Sequence, residues 1–593
     1  MNLRRFLLGC ALGVSFTVAA VAAPITVKIL GFNDFHGNLQ SPGSFSGNPS
    51  GGVDYLAAYV ARLKAANPNN VVVSAGDLVG ASPLISAFFH DEGTIQTMNQ
   101  LGLEFNAVGN HEFDAGKVEL LRKQNGGCID RDPASCVVPP TPFPGARFRF
   151  LAANVLDDST GKTLLPGYAI KQFAGGVRVA FIGMTLKDTP SIVTPTGVAG
   201  LTFADEADTV NALVPKLKAR GVRAIVVLIH QGGFQAATSP NFINDCSGLL
   251  QDAIASPIKA VVARLDDAVD LVISGHTHTG YVCRLPNKTG RTIPVTQASA
   301  FGRVLTDIDM TIDNETGEVT AVRAENVIVD RNDPTVVSFV DPAIQATVAS
   351  YNALVAPLQN QVIGTLVAPA GNTANAAGEM AAGVLIADAQ LASTQPENLG
   401  GAQFAFMNPG GVRNPGFNSG PYPHDVTYGE AFTVQPFANT LVSMTLTAQQ
   451  VKEVLEQQFP GCNGQTAHRI LQISNGLAYS WSETAAPCSK IVDVTFTPTN
   501  VTVIPPAPTA AAEQIVIGGV VQNPAKIYRV TVNNFLSTGG DKFSVLKSGI
   551  DPLGGAQDID ALVKYLKEGY RTPLAPYDPA NPNLHRPRIT RLP

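Results

Sequence analysis

The sequence predicts an α/β protein in two parts, and three observations support this fold class. From Pro24 to about residue 330, short apolar runs such as ITVKILGFND and RAIVVLIHQGG end in small or polar clusters. Runs of this kind are typical of buried strands in a layered sheet. Helical stretches such as GGVDYLAAYVARLKAAN lie between them, and alternation of strands and helices indicates an α/β domain. From about residue 365 the pattern changes to mixed α+β.

The length and charge of the chain limit its organisation and its partners. At 593 residues the chain is too long for a single hydrophobic core. Its 45% hydrophobic and 15% charged residues are typical of a globular protein. The net charge is −6 and no long basic run occurs, which argues against binding of polymeric nucleic acid. A small anionic substrate is compatible with this charge, because a metal site can supply positive charge locally.

The first 23 residues have the pattern of a secretory signal peptide. MNLRR is a charged segment, FLLGCALGVSFTVAAV is apolar, and AVAA offers a cleavage region near Ala22 or Ala23. A retained membrane anchor is the alternative, although an apolar stretch of about 18 residues is marginal for that role. Cys10 lies too close to Arg5 for a good lipoprotein signal. No later segment is long and apolar enough to span a membrane, so we expect a periplasmic or secreted protein.

An even number of cysteines follows the signal segment, and these cysteines lie in pairs along the sequence. An even count outside the cytosol favours disulfides. Proximity in the sequence favours the pairs Cys128–Cys136, Cys246–Cys283 and Cys462–Cys488, although the count alone allows other pairings. A zinc–thiolate site is the competing interpretation, and it is disfavoured because the sequence has no C-x-x-C.

A helix is predicted between the two parts of the chain. In DPAIQATVASYNALVAPLQNQVIG, the apolar residues Ile344, Val348, Tyr351, Leu354 and Leu358 recur at three- and four-residue steps. This spacing predicts an amphipathic helix that connects the two halves. We therefore divide the chain into a signal peptide (1–23), an N-terminal domain (24–335), a connector helix (336–364) and a C-terminal domain (365–593).

Polar side chains cluster directly after the predicted strands of the N-terminal domain, beside glycine. The blocks are GFNDFHG with Asp34 and His36, SAGDLVG with Asp77, VGNHEFD with Asn110, His111 and Asp114, LIHQGG with His230, and SGHTHTG with His276 and His278. Ligand crevices form at the carboxyl ends of strands in α/β sheets. Carboxylate, amide oxygen and imidazole are suitable ligands for divalent Zn, Mn, Fe or Co. The sequence therefore predicts a metal site.

With these blocks the sequence resembles the calcineurin-like metallophosphoesterases, whose pattern D-x-H, G-D, G-N-H-[DE], H and G-H-x-H is matched in every block. The resemblance implies a layered α/β/β/α domain with two divalent metal ions. It implies that one ion is held by Asp34, His36 and His278 and the other by Asn110, His230 and His276, with Asp77 bridging them. His111, oriented by Asp114, would stabilise charge on the phosphoryl group or protonate the leaving oxygen.

Three stretches of the C-terminal domain carry candidate substrate-binding residues. NPGGVRN contains Arg413, YGEAFTVQPFANTLV contains Phe437 and Asn439, and NNFLSTGGDKF contains Phe535 and Asp541. Arginine can bind phosphate oxygens through two hydrogen bonds, and two loop phenylalanines can stack a flat ring. The alternative for each phenylalanine is packing in a small satellite core.

The same stretches resemble the C-terminal domain of the bacterial and animal 5'-nucleotidases, which include periplasmic UDP-sugar hydrolases. The resemblance implies that Phe437 and Phe535 sandwich the base, Asp541 binds the ribose, and Arg413 and Asn439 help to hold the substrate. It also implies that the C-terminal domain rotates about the connector helix to carry substrate to the metals.

Two positions depart from the family pattern. Members carry an additional phosphate-binding arginine near the helix AGVLIADAQLASTQPENLG, but no Lys or Arg occurs here between Asp388 and Arg413. In LQISNGLAYSW, Asn475 stands where glycine is usual. Both departures bear on substrate preference.

The sequence therefore predicts a secreted phosphohydrolase with 5'-nucleotidase activity on nucleoside monophosphates, with hydrolysis of UDP-sugars or other nucleotide pyrophosphates as a further expectation. Its cofactors are expected to be two divalent ions, such as Zn, Mn or Co. A 2',3'-cyclic phosphodiesterase with 3'-nucleotidase activity is the alternative that the missing arginine and Asn475 keep open. A non-catalytic binding protein on the same scaffold is a third interpretation, although such a protein should have lost a ligand or the His111–Asp114 pair, and all are present.

Overall fold

The computed structural model describes residues 23–235, 242–249, 256–418, 420–570, 576–581 and 587–593. Apart from Ala23, the predicted signal peptide lies outside these residues. Within the described ranges, no helix combines the length and apolar character that crossing a membrane requires.

The N-terminal part of the protein contains two six-stranded sheets. The first has the spatial order Val319–Ile328, Val304–Ile312, Ile25–Phe32, Asn70–Ser74, Phe105–Ala107 and Arg149–Leu151. The second has the order Gly280–Pro286, Thr292–Ala298, Leu271–Ser274, Ala224–His230, Arg178–Thr185 and Tyr168–Gln172. The central strands of each sheet pair in parallel. This parallel arrangement agrees with the continuous apolar runs in the sequence, because strands buried on both faces need apolar residues at every position.

The two sheets pack face to face between two layers of helices. Alternate side chains of a strand point to opposite faces, so Ile29 belongs to the buried cluster between the two sheets, whereas Leu30 belongs to the cluster that includes the helices. The outer face of the first sheet is covered by helices Val53–Ala66, Leu84–Ala87, Glu92–Leu101 and Gly116–Asn125, and that of the second sheet by Glu206–Ala219 and Pro257–Val262. The predicted α/β/β/α architecture is confirmed.

A long helix, Pro342–Gln359, follows the N-terminal sheets, and the Asp341 side chain caps its first turn by accepting from the backbone N–H of Ala343. Ile344, Tyr351 and Val355 on this helix are buried against the N-terminal core. The predicted apolar face was wrong at one position, since Leu354 is 52% exposed. The buried residues follow four- and three-residue steps from Ile344 through position 348 to Tyr351 and Val355, which turns Leu354 toward solvent.

The C-terminal part is mixed α+β, as predicted. One five-stranded sheet has the order Gln472–Ile473, Phe404–Met407, Ile527–Asn533, Thr440–Thr447 and Ile550–Gln557, and the other Val520–Val521, Glu513–Ile517, Ile491–Phe496, Leu477–Ser482 and Ile589–Leu592. The principal helices are Ala381–Thr394, Tyr428–Val434, Ala448–Glu456 and Asp558–Gly569.

Covalent and ionic links fix distant segments of the chain. The three predicted disulfides are present: Cys128–Cys136, Cys246–Cys283 and Cys462–Cys488. The strand Ile589–Leu592 is held by a buried ion pair, in which Arg588 contacts both carboxylate oxygens of Asp388 at 2.8 Å. The backbone N–H of Asn475 donates to the same carboxylate at 2.6 Å. The last described strand is therefore part of the C-terminal core.

Candidate active site

The predicted metal ligands follow parallel strands of both sheets and converge at the carboxyl ends of those strands. In the first sheet, Asp34 and His36 follow Ile25–Phe32, Asp77 follows Asn70–Ser74, and Asn110 follows Phe105–Ala107. In the second sheet, His230 ends Ala224–His230, and His276 and His278 follow Leu271–Ser274. Facing sheets therefore bring residues up to 244 positions apart in the chain into one cluster, as the strand-end pattern predicts.

The backbone of five of these residues is left-handed. The φ angles are 50° at Asp34, 46° at His36, 50° at Asp77, 75° at His276 and 57° at His278. Each such non-glycine residue costs about 1–3 kcal/mol and persists only where surrounding contacts determine it. Here the backbone N–H of Asp34 donates to the carbonyl of Gly76, and that of His36 to the carbonyl of Asp77, both at 2.9 Å. These hydrogen bonds between the loops hold the backbones in strained conformations and direct the side chains into the ligand cluster.

One group of ligand atoms comes from Asp34, His36 and His278, which lie within 4.8 Å of one another. His278 Nε2 is 3.3 Å from Asp34 Oδ1 and 3.2 Å from His36 Nε2. His36 donates its Nδ1–H to the carbonyl of Gly80 at 2.7 Å. This bond fixes the tautomer and leaves the Nε2 lone pair free to bind a cation.

A second group comes from Asp77, His230 and His276, again within 4.8 Å of one another. His230 Nε2 lies 2.9 Å from Asp77 Oδ2, and His230 Nδ1–H donates to the carbonyl of Ala75 at 2.8 Å. The same Asp77 oxygen is 3.7 Å from His36 Nε2 in the first group. Asp77 thus lies between the two groups, where a bridging ligand is expected.

The chemistry of these residues fits divalent metal ions. Asp34, His36 and Asp77 are at most 1% exposed, and the buried Oδ1 of Asn110 has no hydrogen-bond partner among the described residues. Leaving such an acceptor unsatisfied costs about 1–3 kcal/mol, and a cation would satisfy it. Burial lowers the pKa of His36 well below its usual value and that of His276 to about 3, which favours the neutral rings that bind metals. At His230, burial acts in the same direction, but the carboxylate of Asp77 outweighs it and raises the pKa to about 10, so a cation would have to displace that proton.

His111 and Asp114 form the predicted pair beside the metal ligands. His111 Nδ1–H donates to Asp114 Oδ2 at 2.8 Å, and the His111 ring lies 5.1 Å from the ring of His36. Burial acts against the charged imidazolium, but the carboxylates of Asp114 and Asp77 outweigh it and raise the pKa of His111. The pair can therefore present a positively charged donor next to the ligand cluster.

Glu112 is a structural partner of the site that the sequence analysis missed. Its carboxylate is 1% exposed and accepts the backbone N–H groups of Asp77 at 3.0 Å, Leu78 at 2.8 Å and Gly109 at 2.6 Å. Glycine is required at position 109, where the loop of Glu112 approaches the loop of Asp77, because a Cβ at this position would lie 2.2 Å from Asp77 Oδ1. The only sequence signal was the position of Glu112 within VGNHEFD. Glu112 joins two ligand loops into one unit.

A cavity of about 620 Å³ joins the ligand cluster to the C-terminal part of the protein. All the predicted substrate-binding residues line it, namely Arg413, Phe437, Asn439, Phe535 and Asp541, together with His111, Asp114, Asn110, Asp77, His276 and His278. Of the predicted metal ligands, Asp34, His36 and His230 lie behind this surface in the cluster. The metal-ligand cluster and the predicted substrate-binding residues therefore share one cavity.

Arg413 and Phe437 lie at the junction of the two parts. The Phe437 ring stacks on His111 with centroids 5.7 Å apart and planes at 17°, and the Arg413 guanidinium is 5.7 Å from the same ring. Burial lowers the pKa of Arg413, while the carboxylates of Asp77 and Asp114 favour its charged form. Within the described ranges, no carboxylate pairs directly with Arg413. Its charge is therefore available to an anion at the ligand cluster.

Asn439 and Phe535, two further substrate-binding candidates, are each held by contacts within the C-terminal part. Asn439 Nδ2 lies 3.4 Å from Asp558 Oδ2, at the outer limit of a hydrogen bond. The Phe535 ring packs so closely on the next turn that a Cβ at Gly540 would lie 2.5 Å from it. Gly540, the second glycine of STGGD, is thus required for the position of the Phe535 ring.

The structure adds Asn408, Arg469 and Lys542 to the cavity wall around Asp541. Asn408 Nδ2 donates to Asp541 Oδ2 at 3.1 Å, and Arg469 Nη1 lies 3.9 Å from Asp541 Oδ1. Asn408 belongs to the NPGGVRN stretch and could have been found there, whereas nothing in the sequence around Arg469 indicates that its loop meets Asp541.

Comparison with known proteins supports both halves of this description. Residues 27–280 match the family described as calcineurin-like phosphoesterase, and residues 362–548 match the 5'-nucleotidase C-terminal domain. The chain is 30% identical over 584 residues to the cell wall protein Lmo0130 of Listeria monocytogenes, covering 93% of this chain and 68% of that protein. It is 29% identical over 554 residues to the endonuclease YhcR of Bacillus subtilis, covering 92% of this chain but only 40% of that protein.

A solved structure shows the same arrangement over nearly the whole length. The 5'-nucleotidase precursor from Thermus thermophilus is 27% identical and superposes with a TM-score of 0.72. The match covers 96% of this chain and 99% of that chain. The order of the two parts is therefore shared with a complete structure.

Proposed function

The chain belongs to the calcineurin-like phosphoesterases that carry a 5'-nucleotidase C-terminal domain, a family of phosphate-ester hydrolases, and on this basis we propose that it is a 5'-nucleotidase. Its reaction would convert a nucleoside 5'-monophosphate and water into a nucleoside and phosphate. The observation that carries the proposal is the shared cavity, which is lined by His111 and residues of the ligand cluster, by Arg413 and Phe437 beside them, and by Phe535 and Asp541 of the C-terminal part.

We assign the ligand cluster to two divalent ions. One would be held by Asp34, His36 and His278 and the other by Asn110, His230 and His276, with Asp77 shared. When bound, such ions supply Lewis acidity toward a phosphoryl oxygen and toward the attacking water.

The protein side chains would position the ester and handle its charge. Arg413, half-buried and without a directly paired carboxylate in the described ranges, would bind the phosphate oxygens. His111, held by Asp114, would donate to the departing 5'-oxygen as the phosphorus–oxygen bond breaks. Phe437 and Phe535 would stack the base, and Asp541 would accept a hydrogen bond from a ribose hydroxyl. Asn439 would contribute to the same wall.

Export from the cytosol is part of the proposal. Three disulfides support an oxidising compartment, and the signal-peptide pattern of the first 23 residues agrees with it. Amino-terminal sequencing of the protein recovered from the extracellular or periplasmic fraction tests this, with cleavage near Ala22 or Ala23 expected.

The deciding experiment measures phosphate release after the metals have been removed and restored as Zn, Mn, Co or Mg. The substrates are 5'-AMP, ATP, UDP-glucose, 3'-AMP and 2',3'-cyclic AMP. Metal-dependent turnover led by 5'-AMP is the expected result, and activity on ATP or UDP-glucose would extend the function to pyrophosphates. Turnover led by the cyclic or 3'-substrate would contradict the proposal and establish the alternative 3'-nucleotidase function. Absence of turnover with every metal would favour a binding protein.

A further inference from the structure

Two cations flank Asp541 on the cavity wall, beyond what ribose hydroxyls require. Arg469 Nη1 is 3.9 Å from Asp541 Oδ1, a distance too long for a direct hydrogen bond. Within the ranges that the structure describes, no acceptor forms a hydrogen bond with this guanidinium, and the side chain is 34% exposed toward the cavity it lines. Lys542 follows Asp541 and lines the same cavity. Both of these cations lie outside the set that binds the 5'-phosphate.

The segment that carries Arg469 is fixed against the Asp541 turn. Gln465, 5% exposed, donates to the carbonyl of Asp541 at 2.9 Å and to the carbonyl of Gln457 at 3.0 Å. The backbone N–H of Arg469 donates to the carbonyl of Gln458 at 2.8 Å. Residues Asp541 and Lys542 have φ angles of 52° and 67°, so the turn opposite is also held in an uncommon conformation. The cationic wall is therefore preorganised.

Within the described ranges, the cations on this wall have carboxylates nearby but no hydrogen-bond acceptor, and such donors suit an anion next to the ribose. Asp541 already accepts a hydrogen bond from Asn408, and its charge is offset by Arg469. Lys542 Nζ is 3.8 Å from Asp188 of the N-terminal part, and Arg469 is 3.9 Å from Asp541. Both distances are too long for a direct hydrogen bond, so the N–H donors of both cations are available to an anion. A ribose hydroxyl needs only an acceptor such as Asp541, whereas a guanidinium is matched by phosphate oxygens, which it can bind in pairs.

We propose that Arg469, assisted by Lys542, forms a subsite for a phosphate group on the 2'- or 3'-oxygen of the ribose, so that the protein accepts nucleoside 2',5'- or 3',5'-bisphosphates. The inference rests on the proposed function, which places the ribose at Asp541. Water attacks the 5'-phosphorus, the bond to the 5'-oxygen breaks, and that oxygen takes up a proton. The products are phosphate and a nucleoside that keeps its 2'- or 3'-phosphate.

The test compares kcat/KM for 5'-AMP, adenosine 3',5'-bisphosphate and adenosine 2',5'-bisphosphate, using the full mature protein with the most active metal. We expect at least one bisphosphate to be hydrolysed as efficiently as 5'-AMP. In R469Q, the ratio of bisphosphate to 5'-AMP efficiency should fall about tenfold or more, since a charge-assisted contact is lost. R469K should restore part of the ratio. The matched control is R323Q, which removes an exposed arginine (83% exposed) outside the cavity and should leave the ratio unchanged.

Each other outcome is decisive. If R469Q lowers both efficiencies equally, Arg469 only holds Asp541 and the subsite is refuted. Chromatography of the products must show adenosine 2'- or 3'-phosphate, and accumulation of 5'-AMP would overturn the inference because the ribose phosphate would then occupy the metal end. If 5'-AMP is hydrolysed and neither bisphosphate is, the subsite fails and the proposed function stands.

Loss of turnover on all substrates would instead contradict the proposed function, and binding would then decide the subsite. Calorimetric titration of metal-free protein with adenosine 3',5'-bisphosphate and with 5'-AMP should show about tenfold tighter binding of the bisphosphate. Equal binding of the two nucleotides, or no effect of R469Q on the difference, would refute the subsite.

Discussion

The two ends of the active-site cavity are built differently. At the metal end, Asp34, His36, Asp77 and His230 are at most 1% exposed, and left-handed backbone and loop-to-loop hydrogen bonds determine their positions. At the nucleoside end, Phe535 and Arg469 are only half-buried, with Phe535 on the short helix Asn534–Ser537 and Arg469 on a loop. Phe437, also half-buried, lies between the two ends and stacks on His111. Strain and burial confine most of the first end to one geometry. At the second end the Asp541 turn is also strained, but the half-buried side chains around it can change their contacts at smaller cost. Under the proposed function, the reaction would take place at the rigid end, and substrate selectivity would depend on the adaptable one.

Replacing Asp77, the carboxylate between the two ligand groups, should lower kcat more than any other change. A small loss of kcat would contradict the contrast between the two ends of the cavity. In D77N, the charge between the two ligand groups is lost, and we expect kcat to fall on the order of 10³-fold, since metal activation supplies several kcal/mol. Enzyme kinetics and metal content by mass spectrometry measure this. The control is D130N, whose side chain is 93% exposed outside the cavity and which should match the unmodified protein. D77N activity within tenfold of it would show that Asp77 does not bridge.

His111 tests whether catalysis can be separated from metal binding at the rigid end. H111N should keep its metal content while kcat falls about 10²–10⁴-fold, because the proton donor to the leaving oxygen is lost. His90 lines the same cavity without contacting the ligand groups, so H90N is the matched control. Loss of metal from H111N would place His111 among the ligands and contradict the assigned role.

A substitution of Glu112 tests whether its buried carboxylate is needed to hold the backbone of the ligand loops in place. In E112Q an N–H group replaces one acceptor oxygen facing three backbone donors. We expect metal affinity to weaken about 10–100-fold, as for other partners that support ligands, with kcat at saturating metal changed much less. Metal titration followed by activity measures this, with the exposed Glu325→Gln as control. Unchanged affinity would show that strain alone positions the loops.

The smallest expected effect lies at the adaptable end. F535A should raise KM for 5'-AMP about 5–100-fold with little change in kcat, because stacking contributes about 1–3 kcal/mol per base. F535L separates stacking from packing, since leucine fills the space but cannot stack a base as a flat ring does. Equal KM values for F535L and the unmodified protein would assign Phe535 to the core, which is the alternative that the sequence left open.

The same contrast explains what could be predicted from the sequence. Metal-end residues follow directly after strands, so local pattern predicted that Asp34, Asp77 and His276 would meet, and the structure brings them together. The pattern G-N-H-[DE] includes Glu112, but its role could not be predicted, because its partners include the backbone N–H groups of Asp77 and Leu78 in another block. Arg469 was missed because its meeting with Asp541 depends on tertiary packing of two loops. Neither kind of contact produces a periodic pattern of residue types that could be recognised in the sequence.

The buried pair of Asp388 and Arg588 has a consequence for how this chain can vary. Each partner alone would leave an uncompensated charge in the C-terminal core, which typically costs about 3–5 kcal/mol. Replacement of both together by apolar residues avoids that cost. The two positions, 200 residues apart, are therefore expected to diverge only jointly among descendants of this sequence. Asp388 also accepts a hydrogen bond from the backbone N–H of Asn475. Which substitutions are tolerated at position 475 would therefore depend on the residues at positions 388 and 588.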